Sequence, residues 1–386
     1  MHFCDHNATS PLRPECRDAV THALTIGGNP ASVHAAGRAA RAIAEDAREA
    51  VARLVGAKTD EVIFTSGATE SNFLGLAGAV EGSLTEGDKP VRITRLFVSA
   101  VEHSSVLKTA ERLAERYPWM KLDLIPVTRD GVVDSEALRV MLREGKGRTL
   151  IAVMAANNET GVLQPLAEIS RLAREAGALL LVDAVAAAGK MDLDFSLCDY
   201  LTLSAHKLGG PQGSGALVAR AGVPFAPQLM GGGQQKGLRA GTENLSGIAG
   251  FGAAAKAVRE DGEERARLSG LRDYFEKTLQ AAIRGAVVFG EKAQRLCNTS
   301  NVGLPGLSGE NIVIALDLDG VLVSSGSSCS SGKITPSHVL LAMGVDEALA
   351  GASLRVSFGW NSTREDADAV VAALARLSSR AKSRAA

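Results

Sequence analysis

The sequence runs to 386 residues, enough to bury a large core and to form more than one lobe. Its 42 Lys and Arg against 43 Asp and Glu leave a net charge of −1, so no basic surface for nucleic acid or membrane headgroups is implied. With 46% hydrophobic and 22% charged residues it reads as a folded protein, and no apolar run is long enough to span a bilayer. The opening Met1-His2-Phe3-Cys4-Asp5 has neither the basic nor the apolar region of a secretion signal, so a cytoplasmic location is expected. The five cysteines are odd in number and form no C-x-x-C pair, which argues against a disulfide framework and a zinc site. Cys4, Cys16, Cys198 and Cys297 are expected to be small buried residues, whereas Cys329 stands apart.

A polar, turn-rich opening, Asp5 to Pro11, precedes a helix expected from about Pro14. Gly27-Gly28-Asn29-Pro30 breaks the chain before a long alanine-rich helical pattern from Ser32 to about Val55. Glu61–Thr65 reads as a strand, followed by the small-residue turn Ser66-Gly67-Ala68-Thr69-Glu70-Ser71 that opens the next helix. Strands are then predicted near Leu96–Ser99, Leu122–Pro126, Thr149–Met154, Leu179–Val182, Leu201–Leu203 and Ala216–Val218. Helices are predicted near Ser104–Arg116, Ser135–Arg143, Leu166–Ala176 and, with breaks at its glycines, Thr242–Arg284. This alternation predicts an α/β fold with a mainly parallel sheet covered on both faces, its ligand at the carboxyl ends of the strands. Beyond Arg284 the units shorten, with Asn311–Leu318 helical and Leu354–Phe358 extended, as in a second, smaller lobe; 378–384 reads as a frayed tail. The expected division is a large domain over 12–258 and a small one formed by 1–11 and 259–386.

The stretch that organises the chemistry is Ser204-Ala205-His206-Lys207-Leu208-Gly209-Gly210-Pro211. Lysine between two apolar strands is costly to bury as an ammonium unless it is neutral, paired or covalently engaged. A Schiff base with an aldehyde cofactor removes that cost, and the neighbouring Ser204 and His206 are phosphate donors, so Lys207 reads as a pyridoxal-phosphate lysine. Three other strand ends fit the same ligand. Thr69, with the amides of Gly67 and Ala68, opens a helix and could bind phosphate or act as a plain cap. Asp183 ends an apolar strand and suits a protonated pyridine nitrogen, or equally a helix cap. His103 could stack on a flat ring and move protons. The turn Asn157-Asn158-Glu159-Thr160-Gly161 is explained by turn formation alone, yet could also offer an asparagine to cofactor or substrate, and Gly231–Thr242 is a flexible basic loop, phosphate-facing or merely a mobile connection. Arg355 alternates with apolar strand positions and could grip a carboxylate, or face solvent. Cys329, within Ser324-Ser325-Gly326-Ser327-Ser328-Cys329-Ser330-Ser331-Gly332-Lys333, reads as an exposed nucleophile rather than a linker residue.

These segments, in their order and spacing, resemble the cysteine desulfurases of the NifS/IscS-like type almost end to end. The matching pieces include Asp5-x-Asn7-Ala8-Thr9, Ser66–Asn72, Glu102-His103, Asn157–Gly161, Asp183-Ala184, Ser204–Lys207, Arg239–Thr242 and the serine-glycine stretch around Cys329. The resemblance implies pyridoxal-phosphate fold type I, like aspartate aminotransferase, in a homodimer with active sites near the subunit interface. It implies pyridoxal 5′-phosphate on Lys207, its ring nitrogen on Asp183, and His103 stacked on the ring. The phosphate would lie on Ala68, Thr69, Ser204 and His206, with Thr242 supplied by the partner subunit. Asn158 would contact cofactor or substrate, and Arg355 would bind the carboxylate of L-cysteine. Lys207 and His103 would be catalytic, with Cys329 receiving the sulfur as a persulfide for an acceptor such as an iron–sulfur scaffold protein.

Two positions depart from the family's pattern. Ala186 stands where a glutamine usually bonds the cofactor's phenolic oxygen, and Leu181 where a histidine is common. One lost bond to a charged oxygen costs on the order of 1.5–3 kcal/mol when nothing replaces it. A different pyridoxal-phosphate enzyme, such as a selenocysteine lyase or carbon–sulfur lyase, and a non-enzymatic relative are the alternative readings.

Overall fold

In a computed structural model of the chain, residues 1–386 are described except 83, 87, 88, 261, 326–335 and 386. Short runs of β-branched and leucine residues between helices form a seven-stranded sheet. Its order is Val62–Thr65, Gly215–Ala219, Tyr200–Ser204, Leu179–Asp183, Arg148–Met154, Ile93–Ser99, Lys121–Ile125. Only Gly215–Ala219 runs antiparallel to its neighbours; the other pairings are parallel. Side chains alternate along each strand, so successive residues serve opposite cores. Phe64, Val218, Leu203, Val182 and Ile151 face one core, built with the helices Ala35–Val55, Leu166–Glu175 and Leu245–Glu260. Ile63, Leu217, Leu181, Leu150 and Leu96 face the other, built with Ala68–Glu81 and Ser104–Arg116. Leu181 is thus a packed core residue, pressed so closely on the Ala68–Glu81 helix that a Cβ at Gly75 would lie 2.6 Å from its Cδ1.

A second, four-stranded antiparallel sheet joins Val287–Val288, Thr299–Gly303, Ser353–Ser357 and Ser324–Ser325. Its own core gathers Phe275, Leu279, Ile312, Leu316, Leu354, Val356, Phe358, Val370 and Leu374. The N-terminus belongs to this side of the molecule. His2–Phe3 pairs in parallel with Val321–Leu322, and Asp5 bridges to Ser357.

The predicted elements are present to within a few residues at their ends, with two corrections. Gly247, Gly250 and Gly252 do not break the long helical stretch. They lie inside Leu245–Glu260, and the interruption comes near Gly262, before Glu264–Ala282. A Cβ on Gly252 would sit 2.6 Å from Ala47 Cα, so this glycine serves helix packing. The stretch 378–384 is not frayed: it continues the helix Arg364–Ala385.

Burial has a consequence for pH. His6 Nδ1 lies 2.9 Å from Ser10 Oγ in a buried polar knot, and burial, with Lys190 and Arg13 nearby, depresses its pKa to about 3. His206 is pushed down to about 4, first by burial and then by Lys207 and Lys190. A depressed pKa means that the unfolded chain takes up the proton first, so their full contribution exists above pH 6.5 and is lost as pH falls toward 4 and 3. Between pH 6.5 and 4.5 the loss from His6 alone is on the order of 2–3 kcal/mol. Urea unfolding of the cofactor-free protein at both pH values should show this drop, and His6→Gln should flatten it; equal slopes would remove His6 as the cause.

Candidate active site

The carboxyl ends of five strands open on one cavity of about 820 Å3. After Val62–Thr65 the chain enters Ser66-Gly67 and the helix carrying Ala68 and Thr69. Ile93–Ser99 leads to His103, Arg148–Met154 leads to Asn158, Leu179–Asp183 ends on Asp183, and Tyr200–Ser204 runs into His206 and Lys207. All of these, with Ser204 and Arg355, line the cavity. Thr242 is exposed and lies elsewhere than on this wall, and Cys329 lies outside the described residues.

Lys207 is fixed by a single turn of 3-10 helix, Ala205–Lys207, that follows its strand. Its ammonium donates to the backbone oxygens of Asn7 and, at 2.8 Å, Ala8. Burial first, then Arg355 and Lys190, lower its pKa to about 7, so the free amine is well populated at neutral pH. Asp183 is 5% exposed at the end of its strand. Its Oδ2 accepts from Asn72 Nδ2 at 2.8 Å, and Asn72 is oriented in turn by Thr202 Oγ1, which donates to Asn72 Oδ1 at 2.7 Å. Its Oδ1 accepts the Val185 amide at 3.0 Å, which ties the turn that follows; no helix begins there for it to cap, as the alternative reading had it.

The Ser66–Glu70 turn lies beside Ser204 and His206. Gly215 permits this approach, since a Cβ there would fall 2.7 Å from Gly67 Cα. Glu70 accepts the Ser66 amide at 2.8 Å and pairs with Arg239 through Nε to Oε1 at 2.7 Å and Nη2 to Oε2 at 3.1 Å. The basic loop, read as either phosphate-facing or a mobile connection, is therefore tied to this turn. Gln235, at φ 46°, ties it again by accepting the Phe64 amide at 2.8 Å.

His103 caps the helix Ser104–Arg116: its Nδ1 accepts the Ser105 amide at 3.1 Å, which leaves the ring proton of the neutral form on Nε2. Burial lowers its pKa, opposed by Asp183. The preceding Glu102 is fully buried and accepts the Met154 amide at 2.6 Å; burial and then Asp183 push its pKa well up.

Arg355 does not face solvent. It is 7% exposed, pairs with Asp5 at 2.9 Å and donates to the Asn158 oxygen at 3.2 Å. Asp5 also accepts from Ser324 Oγ at 2.7 Å, and Ser324 lines the cavity. Asn7 completes this wall, donating through Nδ2 to the Asn158 oxygen at 3.1 Å and to Thr299 Oγ1 at 2.8 Å.

Sequence reasoning assigned no role to Asn7, Gln212 or Lys190, all of which reach the cavity. The Asp5-x-Asn7 motif was a signal for the first, whereas Lys190 hides in an alanine-rich run. Ala186 lines the cavity, and the polar group beside it is the Lys190 ammonium, which donates to the Ala186 oxygen at 3.1 Å. One cavity thus offers an amine, a carboxylate, a guanidinium, hydroxyls and a helix N-terminus. That donor set fits a flat phosphorylated pyridine aldehyde together with a small amino acid.

Comparison with known proteins agrees with this geometry. The pattern of the Aminotransferase class-V family matches residues 2–370. A cysteine desulfurase IscS of Dictyoglomus turgidum is 40% identical over 379 residues, covering 97% of this chain and 94% of the relative. Among solved structures, a NifS-like protein of Rickettsia africae superposes with a TM-score of 0.87 at 31% identity, covering 98% of this chain and 99% of the other. SspA in complex with cysteine superposes with a TM-score of 0.80 at 28% identity, covering 94% and 100%.

Proposed function

The chain belongs to the class-V aminotransferase family, and from that premise we propose that it is a cysteine desulfurase, taking sulfur from L-cysteine and releasing L-alanine. Its fold is pyridoxal-phosphate fold type I and its cofactor is pyridoxal 5′-phosphate. The observation that carries the reading is the convergence of Lys207, Asp183 and Arg355 on one cavity whose wall includes Ser324. Cys329 follows Ser324 by five residues, and an extended chain of that length reaches about 17 Å.

Lys207 would hold the cofactor through its amine, with Asp183 at the ring nitrogen and His103 against the ring. Ala68, Thr69, Ser204 and His206 would hold the phosphate, with Thr242 acting from a partner subunit. When bound, the cofactor supplies an electron sink for the substrate's α-carbon. Arg355 orients the substrate carboxylate, its guanidinium already presented by Asp5 and the Asn158 carbonyl, and Asn158 supports the substrate from the same wall. The Lys207 amine, its pKa lowered first by burial, takes the Cα proton and returns it there once the sulfur has left. The Cys329 thiolate attacks the substrate sulfur; a sulfur–sulfur bond forms as the carbon–sulfur bond breaks, and the pair left on carbon is protonated to give alanine.

Two further parts belong to this reading. A division into 12–258, and 1–11 with 259–386, is supported by the separate core around the four-stranded sheet, which includes Cys4. A homodimer is supported by the exposed Thr242 and by the exposed apolar Val33 and Met230. No helix among the described residues is long and apolar enough to cross a membrane, and a cytoplasmic site of sulfur transfer to an acceptor such as an iron–sulfur scaffold is part of the proposal. Incubation with L-cysteine should release alanine and leave one added sulfur on Cys329 by mass spectrometry. Cys329→Ser should keep the cofactor and lose alanine release; continued release from that variant would refute the assignment.

A further inference from the structure

A second lysine stands in the same cavity. Lys190 lies four residues beyond Ala186 in a turn, partly exposed, and its ammonium donates to the Ala186 oxygen at 3.1 Å and to the backbone oxygen of Lys207 itself at 3.5 Å. It lines both the main cavity and a small adjoining pocket containing His6, Arg13 and Glu264. A buried ammonium held mainly by carbonyls keeps its charge only if those acceptors are fixed, and both belong to the turns that carry the site. We propose that Lys190 is a positioning residue whose fixed positive charge, braced on the backbone of Lys207, keeps the Lys207 amine in its free, nucleophilic form at neutral pH.

The surroundings support this direction. Lys207 meets Arg355 and Lys190 as cations and Asp5 and Asp183 as anions, with His103 and His206 beside it neutral. Lys190 meets Cys297 and Glu264, which favour its charge, and Arg13, which opposes it. Burial is the largest cause lowering both amines, Lys190 to about 8 and Lys207 to about 7. Two like charges in one cavity resist full protonation together, and the amine that yields is the one facing the ligand.

The inference rests on Lys207 being the cofactor lysine, which borohydride fixation of the bound cofactor and peptide mapping test separately. The test of Lys190 uses cofactor-free protein and no substrate. Trace acetylation with acetic anhydride across pH 5.5–11, read by mass spectrometry at each lysine, gives the protonation midpoint of Lys207. In Lys190→Met that midpoint should rise by about one pH unit, making Lys207 label about tenfold more slowly below it. Lys190→Arg should keep the midpoint near that of the parent. An unchanged midpoint in Lys190→Met, or Lys190→Arg behaving like Lys190→Met, would overturn the proposal. If Lys190→Met does not fold, the parent protein decides: Lys190 must show the higher midpoint of the two, and a lower one refutes the role.

Discussion

Replacement of Lys207 by alanine is expected to give a folded, colourless protein whose alanine release falls by more than about a thousandfold. In the proposed reading the amine has two roles, covalent attachment and proton transfer at Cα, and groups that act in one sequence of steps fail together. The variant should retain no visible absorption after gel filtration, and borohydride should fix no cofactor to it. Stability moves the other way. The folded pKa near 7 lies below the unfolded value, so the lysine's contribution is complete above pH 10 and diminishes as pH falls, with the whole burial cost present below 7. Cofactor-free Lys207→Ala should therefore melt no lower than the parent at pH 7, with any lost bonds to the Asn7 and Ala8 oxygens offset by the removed charge. Turnover within tenfold of the parent would end the assignment of Lys207.

Asp183→Asn comes next in size. The substitution keeps shape and removes a charge that the strand end holds in a buried, hydrogen-bonded setting. A fixed charge aimed at a developing charge is worth on the order of 10²–10³-fold in rate. The amide also cannot accept from both Asn72 and the Val185 amide while its nitrogen faces either one, so some reorientation of Asn72 is expected. Borohydride should still fix the cofactor on Lys207, because attachment does not need the carboxylate, while alanine release drops by the factor above. Asn72→Ala should give a smaller loss in the same direction, since it orients Asp183 rather than replacing it. Equal losses in attachment and turnover would mean that Asp183 merely supports the fold.

The site was legible in the sequence where a polar residue interrupts an apolar strand. Asp183 and Lys207 each follow four or more residues of strand, and Thr69 and His103 open helices directly after strands, so alternation placed them on one edge of the sheet. Long-range pairing hid the rest. Arg355 looked as much like a surface arginine as a ligand group because its partner, Asp5, is 350 residues away in sequence. Lys190 hid because it ends an alanine-rich turn, and nothing local shows that its head reaches the carbonyl of a residue seventeen positions later. Gln235 and the basic loop looked mobile for want of the Glu70–Arg239 pair. Glycine was over-read as a breaker in Leu245–Glu260, where close helix contact rather than flexibility explains it.

The first nine residues are held by contacts far away in sequence. His2–Phe3 pairs with the strand Val321–Leu322, and His2 Nδ1 lies 2.9 Å from Asp366, so residues 2–3 cannot dock until positions 321–366 have been made. Until then the oxygens of Asn7 and Ala8 that receive the Lys207 ammonium are absent. A chain cut before Val321 would therefore lack the strand that anchors this end of the Lys207 socket.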